Sequence, residues 1–244
     1  MTGELYLISN GFQPEYEVGF ANAACESTFS VTLIGSDSTL YTRLNHKCSF
    51  SNLRGSQTQS RTKVDKAFNL IRYFFRYGLI ALKKREAVFH FNGLFCFKTG
   101  FPALIEAFFD RIVCRTFWLT VHNILPHDAE GWVNRLCFRH IYKMPDKLIV
   151  HTEDMRRRLV FEYGVKNNKI IVIEHGIDKF HYPDANLRNE FRFNNGIQQS
   201  STVLLAFGNV SPYKGTDELI DALSLIKNPS RITLIIAGKA SSKE

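Results

Sequence analysis

The sequence lacks several patterns that would place it in a familiar class at once. Its five cysteines are odd in number and form no CxxC pair, which argues against a disulfide framework and against a structural zinc site. We therefore expect free thiols, mostly in the core. No GxGxxG follows the first predicted strand, which runs into SNGFQPEYEVGF instead. A nicotinamide-dependent dehydrogenase is therefore not expected.

Segments typical of exported or membrane-spanning proteins are also missing. The start, MTGELYLISNGF, has no basic stretch followed by a long apolar run, so no signal peptide is expected and a cytoplasmic location is predicted. The apolar segment 62–85 is interrupted by Arg72 and Arg76 and cannot be an ordinary membrane span. No solenoid repeat and no low-complexity tract is present.

What the chain does have is enough apolar sequence for a core and an excess of positive charge. With 244 residues, 45% of them hydrophobic, it can form one large or two small domains. The net charge is +8, and residues 1–180 contain 24 Lys or Arg and 17 Asp or Glu. Such an excess suits an anionic membrane, a phosphorylated substrate or nucleic acid. No recognised nucleic-acid-binding module is present, so nucleic acid is not expected.

Short β-rich runs alternate with helical patterns along the chain. Strands that are apolar throughout, each followed by a helix, indicate parallel sheets covered on both faces, an α/β class with Rossmann-like units. The predicted strands are 5–9, 29–35, 87–91, 116–122, 147–151, 169–174, 202–208 and 231–238, and the predicted helices lie near 15–26, 61–85, 101–113, 130–143, 153–163 and 215–227. Polar sequence near 179–200 predicts a first domain over 1–180, a linker over 181–200 and a second domain over 201–244.

The stretch TVHNILPHD puts polar residues directly after a predicted strand. If it were a metal site, His122, His127 and Asp128 would be the ligands, but their spacing is not the i, i+4 pattern that places two imidazoles on one helix face. We therefore predict no metal site. In a structural interpretation, Asp128 caps a helix starting near Ala129 and Pro126 sets the turn.

Two further loops follow predicted strands, where ligands bind in open parallel sheets. EHGID contains Gly176, which lets the backbone turn sharply, and the loop is either a plain turn or a ligand contact through His175. FGNVSPYKGTDEL places Gly208 at a strand end and Lys214 just before a helix that starts near Gly215. Helix N-termini attract anions. This lysine is therefore either simply solvated or part of a diphosphate site.

Three segments together, TVHNILPHD, LIVHTEDMRRRLVFEYGVKNNKIIVIEHGID and LLAFGNVSPYKGTDELIDALSLI, resemble successive landmarks of the family 4 glycosyltransferases, the retaining GT-B enzymes. Their order and spacing match as well. The resemblance implies a GT-B-like α/β fold: a Rossmann-like N-terminal domain that binds the acceptor, and an incomplete second Rossmann-like domain that binds a nucleotide-sugar across a cleft. It implies no metal and no cofactor beyond this co-substrate.

The resemblance also implies roles for individual residues. His122 would contact the reacting sugar as the catalytic-site histidine, Asn123, His127, His175 and Gly176 would bind substrate, and Gly208, Lys214 and Gly215 would bind the donor diphosphate. The chain departs from the family pattern at two places. Glu174 stands where proline is usual, and no second basic residue lies between Gly208 and Lys214.

In the resembled family, the C-terminal domain continues and carries two glutamates seven residues apart, whereas this sequence stops at GKASSKE. We expect either a truncated enzyme or a domain completed by a second chain, with little activity alone and a protease-resistant core of the first 180 residues. The predicted function is transfer of a sugar from a nucleotide-sugar donor to a glycan or lipid-linked acceptor in surface polysaccharide biosynthesis, lipopolysaccharide included. The alternative is a non-catalytic acceptor-binding or scaffold subunit.

The segment 62–85 combines aromatic and aliphatic residues with basic ones. At helical spacing, Arg72, Arg76 and Lys83 fall on one side, the signature of a helix lying in a membrane interface. This predicts peripheral association with the anionic inner face of the cell membrane. The alternative is an ordinary domain helix with its apolar face on the sheet.

Overall fold

The computed structural model of the chain describes residues 3–58, 60–126, 131–176, 184–208, 210, 214–227 and 231–239. The chain divides into two compact units, Met1–Ile177 and Asp178–Glu244. Each unit has its own parallel sheet. The α/β class with two Rossmann-like parts is thereby confirmed.

The first unit is built on a seven-stranded sheet with the order β3-β2-β1-β4-β5-β6-β7. All six neighbouring pairs are parallel. The strands are β1 (Gly3–Ile8), β2 (Phe29–Gly35), β3 (Ser49–Asn52), β4 (Val88–Phe91), β5 (Thr116–Thr120), β6 (Lys147–Val150) and β7 (Ile170–Val172). The helices are α1 (Pro14–Cys25), α2 (Lys63–Lys83), α3 (Gly100–Val113), α4 (Trp132–Ile141) and α5 (Glu153–Phe161).

Two hydrophobic clusters hold this unit together. The smaller one packs Leu5, Leu7 and Leu33 of the sheet against Ala21 of α1. The larger one joins strands β4 to β7 to helices α2 to α5 and contains the fully buried rings of Tyr77, Phe89, Phe91, Phe117 and Phe138. Burying each such side chain contributes about 1.5–3 kcal/mol. The sheet is therefore covered on both faces, as its unbroken apolar strands predict.

Two acidic side chains lie in the larger cluster. The Glu106 carboxylate accepts hydrogen bonds from the backbone N–H groups of Phe95 (2.8 Å) and Cys96 (2.7 Å). Asp110 Oδ1 accepts one from the Tyr77 hydroxyl at 3.2 Å. Burial, together with the nearby Glu106 charge, raises the pKa of the Asp110 carboxyl well above its ordinary value. Burial therefore favours the protonated form of the Asp110 carboxyl.

This protonation gives a testable pH dependence. The folded chain keeps a proton on Asp110 that the unfolded chain releases above its ordinary pKa, so folding becomes less favourable as pH rises. An Asp110→Asn variant has no carboxyl group at this position, so its stability lacks this loss at high pH. Its melting temperature should exceed that of the unmodified chain by at least about 2 °C at pH 8, and by less at pH 5. An equal difference at both pH values would show that Asp110 is ionised. Glu26→Gln, at an exposed position, is the control.

The structure corrects the prediction of five free thiols. Cys25 at the end of α1 and Cys48 before β3 form a disulfide, with their Cα atoms 6.1 Å apart. The 23 residues between them in the sequence do not indicate a contact. Helix α1 packs against β2, and β2 pairs with β3, so the two cysteines meet. Cys114 and Cys137 are buried free thiols, as predicted, and Cys96 is half-buried.

The second unit contains α6 (Ala185–Asn194), β8 (Thr202–Phe207), α7 (Thr216–Ser224) and β9 (Ile232–Ala237). Strands β8 and β9 pair in parallel. Helix α6 lies within the segment that we predicted as a linker; its side chains are mostly polar, which explains why the apolar pattern missed it. The Arg192 guanidinium donates to the carbonyl oxygens of Gln198 (2.8 Å) and Ser201 (3.1 Å). These bonds tie α6 to the start of β8.

Candidate functional site

Polar residues follow the carboxyl ends of five parallel strands of the first unit. Asn10 follows β1, Asn92 follows β4, His122 follows β5, His151 follows β6 and His175 follows β7. Because these strands are neighbours in the sheet and all run the same way, their carboxyl ends share one edge. This is the edge at which open α/β sheets bind ligands.

The first part of this edge is organised by a buried carboxylate. Glu17 of α1 is fully buried, and its Oε1 atom accepts hydrogen bonds from the backbone N–H of Asn10 (3.1 Å) and from Asn92 Nδ2 (3.2 Å). Burial raises the pKa of Glu17. Helix α1 therefore fixes the loop after β1 and orients the Asn92 amide so that its oxygen faces β5.

The second part is a chain of imidazoles. The His122 Nε2 atom lies 2.8 Å from Asn92 Oδ1, and His122 Nδ1 lies 3.0 Å from His151 Nε2. The other nitrogen of His151, Nδ1, lies 2.9 Å from the carbonyl oxygen of Ile173. Hydrogen bonds and close nitrogen contacts thus run from α1 across β4, β5 and β6 to the residue after β7.

The imidazoles form a compact group around one aromatic ring. Tyr16 packs edge-on against His122, His151 and His175, with ring centroids 5.1, 5.3 and 5.2 Å away. The His151 and His175 rings stack at 3.7 Å. Burial and the neighbouring histidines lower the pKa of His122 to about 3, and burial lowers that of His151. His122 is therefore a neutral imidazole at pH 7.

A cavity of about 520 Å³ opens beside this network. Its walls are largely apolar, and Asn10, Asn123 and Lys98 contribute polar groups to the lining. Gly93 also lines it, with φ of +88°, and a Cβ atom added there would lie 2.6 Å from Asn10 Nδ2. Glycine is thus required at this position both by its backbone conformation and by the close approach of Asn10.

The structure brings several of the predicted site residues together. His122 and Asn123 line the cavity, and His175 joins His122 in the imidazole group. Both ring nitrogens of His122 already have partners, so a hydrogen bond from this ring to a substrate requires one of those contacts to open. Gly176 is exposed. His127 and the proposed cap Asp128 lie outside the described residues, and α4 begins later than predicted, with Gly131 as its N-cap.

The residues predicted to bind the donor diphosphate lie in the second unit. Gly208 follows β8 with φ of +108°, and its N–H donates to the Ala237 carbonyl at 3.0 Å. Lys214 is exposed, and Gly215, with φ of +64°, is the N-cap of α7. The first turn of α7 also carries Asp217 and Glu218. These two carboxylates disfavour an anion at this helix N-terminus, and a lysine charge nearby offsets that effect.

Several residues of the first unit's network were missed from the sequence, among them His151, Asn92 and Glu17. His151 directly follows the apolar run KLIV, so the rule that selected His122 could have found it. Asn92 follows β4 in the same way. Glu17 gave no signal, because it lies within a helix and only the structure shows that it is buried.

Helix α2 has apolar side chains on two faces. Tyr73, Tyr77, Gly78 and Ala81 are buried. A second row of apolar side chains is exposed, namely Val64, Phe68, Ile71, Phe75, Leu79 and Leu82. The neighbouring α3 exposes Phe101, Ile105, Phe108 and Ile112. None of the helices among the described residues is long and apolar enough to cross a membrane.

Comparison with known proteins identifies a family model and curated sequences that this chain resembles. The chain matches the family model for Glycosyltransferase Family 4 over residues 39–179. It is 29% identical over 108 residues to a D-inositol 3-phosphate glycosyltransferase of Kineococcus radiotolerans, a match that covers 42% of this chain and 25% of that protein. It is also 29% identical over 126 residues to a GDP-mannose:glycolipid 4-beta-D-mannosyltransferase of Xanthomonas campestris pv. campestris, covering 50% of this chain and 30% of that protein.

Solved structures agree at the level of the fold. The Anabaena protein HepE, crystallised with UDP-glucose, superposes with a TM-score of 0.69 at 18% identity, over 99% of this chain and 62% of that one. A glycosyltransferase from Rickettsia africae gives 0.58 at 12% identity, over 98% and 69%. These likenesses confirm the GT-B-like fold. The chain spans less than a third of the curated relatives named above. Because the family model matches more than half of it, the chain belongs to Glycosyltransferase Family 4.

Proposed function

We propose that this protein transfers a sugar from a nucleotide-sugar donor to a glycan or lipid-linked acceptor, in the synthesis of a surface polysaccharide. The observation that carries the proposal is the cavity at the carboxyl edge of the first sheet, in a chain of this family. One matched relative is by name a glycolipid mannosyltransferase, which supports a lipid-linked acceptor. In this proposal the first unit binds the acceptor and the second binds the donor.

The cavity suits an acceptor with both polar and apolar parts. Leu94, Phe97 and Phe138 give it apolar walls, on which the non-polar face of a sugar ring or part of a lipid can pack. The side-chain amide of Asn123 can hydrogen-bond hydroxyl groups, and Lys98 places a cation at the lining for an anionic group. Pockets of this size with a few polar groups are typical of small-molecule sites.

Within this site, His122 is proposed to fix the geometry of the reacting groups. Its ring is held by Asn92 and His151, and the same contacts hold the loop that carries Asn123. Holding reactants in register accounts for a large part of the rate gain in bond-forming reactions. His175 and Gly176, beyond the next strands along the edge, are proposed as further substrate contacts.

The donor is proposed to bind through its diphosphate at the N-terminus of α7. Free N–H groups and the helix dipole favour an anion there. Gly208, Lys214 and Gly215 belong to the segment that joins β8 to this helix. The Anabaena structure, solved with UDP-glucose, supports a uridine diphosphate sugar, and the Xanthomonas relative, named for GDP-mannose, supports a guanosine one.

The experiment that tests the proposal is calorimetric titration of the purified chain with UDP-glucose and with GDP-mannose. We expect one of them to bind at one equivalent and to be displaced by its own nucleoside diphosphate. If neither produces heat at millimolar concentration, donor binding is refuted. The non-catalytic scaffold is then the better account, because a scaffold needs the acceptor alone.

A further inference from the structure

A second cavity adjoins the loop that follows β4. Phe95 lines it, whereas the neighbouring Leu94 lines the cavity described above. Its volume is about 320 Å³, and the segment after β3 and the first part of α2 form most of its wall. Its polar lining residues include Arg54, Gln57, Arg61, Lys66 and Asn69. Three of these carry a positive charge, and no acidic residue in the described part of the chain lines the cavity.

Arg54 is the residue that most clearly indicates an anionic ligand. It is only 8% exposed, and its guanidinium lies over the Phe95 ring, 4.3 Å from the centroid. Among the described residues, the guanidinium donates a single hydrogen bond, from Nη1 to the Ser9 carbonyl oxygen at 3.2 Å, and forms no ion pair. A guanidinium has five N–H groups and stays charged at ordinary pH. Because burying an unpaired charge is costly, a bound anion would stabilise Arg54 in this position.

Two buried carboxyl groups lie near Arg54 without forming an ion pair to it. The Glu17 carboxylate accepts hydrogen bonds from the loop after β1, and the Glu106 carboxylate accepts them from the loop after β4. Burial raises the pKa of both carboxyls, which favours their neutral forms. These groups therefore offset less of the Arg54 charge than two ionised carboxylates would.

Two further cations and the N-terminus of α2 complete the lining. Arg61 is half-buried, and its Nη2 donates to Gln57 Oε1 at 2.9 Å, which holds the guanidinium in place. Lys66 lies in the first turn of α2 and is exposed. The acidic residue of that turn, Asp65, is bonded to Thr62 in a capping box. The helix dipole adds a partial positive charge at this end.

We propose that this cavity binds a phosphate or diphosphate group of the acceptor. Arginine forks match the paired oxygens of phosphate, and a lysine adds a charge that can adjust its position. A phosphate monoester carries about two negative charges at pH 7, which three cations can balance. The inference rests on the proposed function only in assigning this phosphate to the acceptor.

The position of the cavity suits an acceptor that reaches both cavities. Arg54 is bonded to Ser9, the residue before Asn10 of the first cavity, and Phe95 directly follows Leu94. A ligand whose sugar part lies in the first cavity can therefore place its phosphate in the second one, across the loop after β4.

The second cavity also meets one end of the exposed apolar row on α2. Lys66, Ala67 and Asn69 line the cavity, and Val64 and Phe68 of the row lie next to them along the helix. A phosphate in the cavity thus has apolar surface beside it on which a lipid chain can lie. A soluble sugar phosphate would use the cavity without that row.

The test is calorimetric titration with inorganic pyrophosphate, which has no sugar, nucleoside or lipid part. All titrations use a chain with Lys214→Ala, because the proposed donor site also takes a diphosphate. We expect this chain to bind pyrophosphate, and the added double change Arg61→Gln with Lys66→Gln to weaken binding at least about 10-fold. Arg54→Gln should weaken it further. The melting temperature of the double variant should be unchanged, which separates loss of a ligand from loss of the fold.

The matched control is Arg139→Gln with Lys166→Gln, which removes two charges at exposed positions outside the cavity and should leave pyrophosphate binding unchanged. The source of the phosphate is distinguished with phosphatidylcholine vesicles that contain phosphatidic acid, a phosphate monoester, or phosphatidylglycerol at equal charge. A preference for phosphatidic acid that Arg61→Gln with Lys66→Gln removes would indicate a lipid phosphate. Pyrophosphate binding without this preference would indicate a soluble phosphorylated acceptor.

The proposal is overturned if pyrophosphate does not bind at millimolar concentration, or if Arg61→Gln with Lys66→Gln binds it as tightly as the control. Neither result bears on the titrations with UDP-glucose and GDP-mannose, which test the proposed transferase function separately.

Discussion

Replacing Lys214 with alanine should weaken the binding of the nucleotide-sugar donor by about 10- to 100-fold. A charge-assisted hydrogen bond contributes about 1.5–3 kcal/mol, and every 1.4 kcal/mol is tenfold in affinity. The effect should be at the upper end here, because Asp217 and Glu218 in the first turn of α7 repel an anion once the lysine charge is gone. Calorimetry with the donor that binds the unmodified chain measures it.

The control is Lys227→Ala. Lys227 is exposed and lies just beyond the other end of α7, so it carries the same charge away from the helix N-terminus. We expect its replacement to leave donor affinity within about twofold of the unmodified chain, as for a surface change outside the site. Equal losses from both variants would point to a general electrostatic effect, and no loss from Lys214→Ala would remove the diphosphate assignment.

Reversing two charges on α2, Arg72→Glu with Arg76→Glu, should reduce binding to anionic vesicles by about 30-fold or more. The proposal is that α2 and α3 lie against the inner face of the cell membrane. Their exposed apolar side chains, such as Phe68, Phe75 and Phe108, would enter the interface while the basic residues meet anionic headgroups. Each basic residue near such a surface contributes about 1 kcal/mol, so losing two costs about 2 kcal/mol.

Vesicle flotation at several salt concentrations measures this effect. Binding of the unmodified chain should fall as salt rises, because the attraction is screened. The matched control, Arg43→Glu with Lys47→Glu, makes the same change of charge near α1, where Asn22 Nδ2 donates to the Arg43 carbonyl at 3.0 Å. It should bind vesicles normally. Equal partitioning of both double variants would contradict a specific role of α2 in membrane binding.

The central strands could be predicted from the sequence for a physical reason. Strands β1, β5 and β6 lie inside the sheet and are mostly buried, so their sequences are largely apolar and are bounded by polar loops. The edge strand β3, with the sequence SFSN, is short and polar and has no such signature. Helix α6 was missed for a similar reason, since it exposes even Phe191 and Phe193 and shows no clear apolar face.

The candidate site could be predicted in part. The rule that ligands bind beyond strand ends selected His122 and His175, each from its own loop. It could not show that these residues meet His151, because that depends on the order and register of the strands in the sheet. The roles of Glu17 and Asn92 depend on burial and on side-chain orientation. Neither property is encoded in a local pattern.

The most direct test of this account is hydrogen–deuterium exchange of the chain with and without the nucleotide-sugar that it binds. If the second unit binds the donor, the backbone amides around Gly208 and those of Gly215 and Thr216 should exchange more slowly in the presence of the nucleotide-sugar. The amides around Asn10, Gly93 and Asn123 should respond instead to a glycolipid acceptor. Protection by the nucleotide-sugar that is confined to the first unit, with none at the start of α7, would contradict the account.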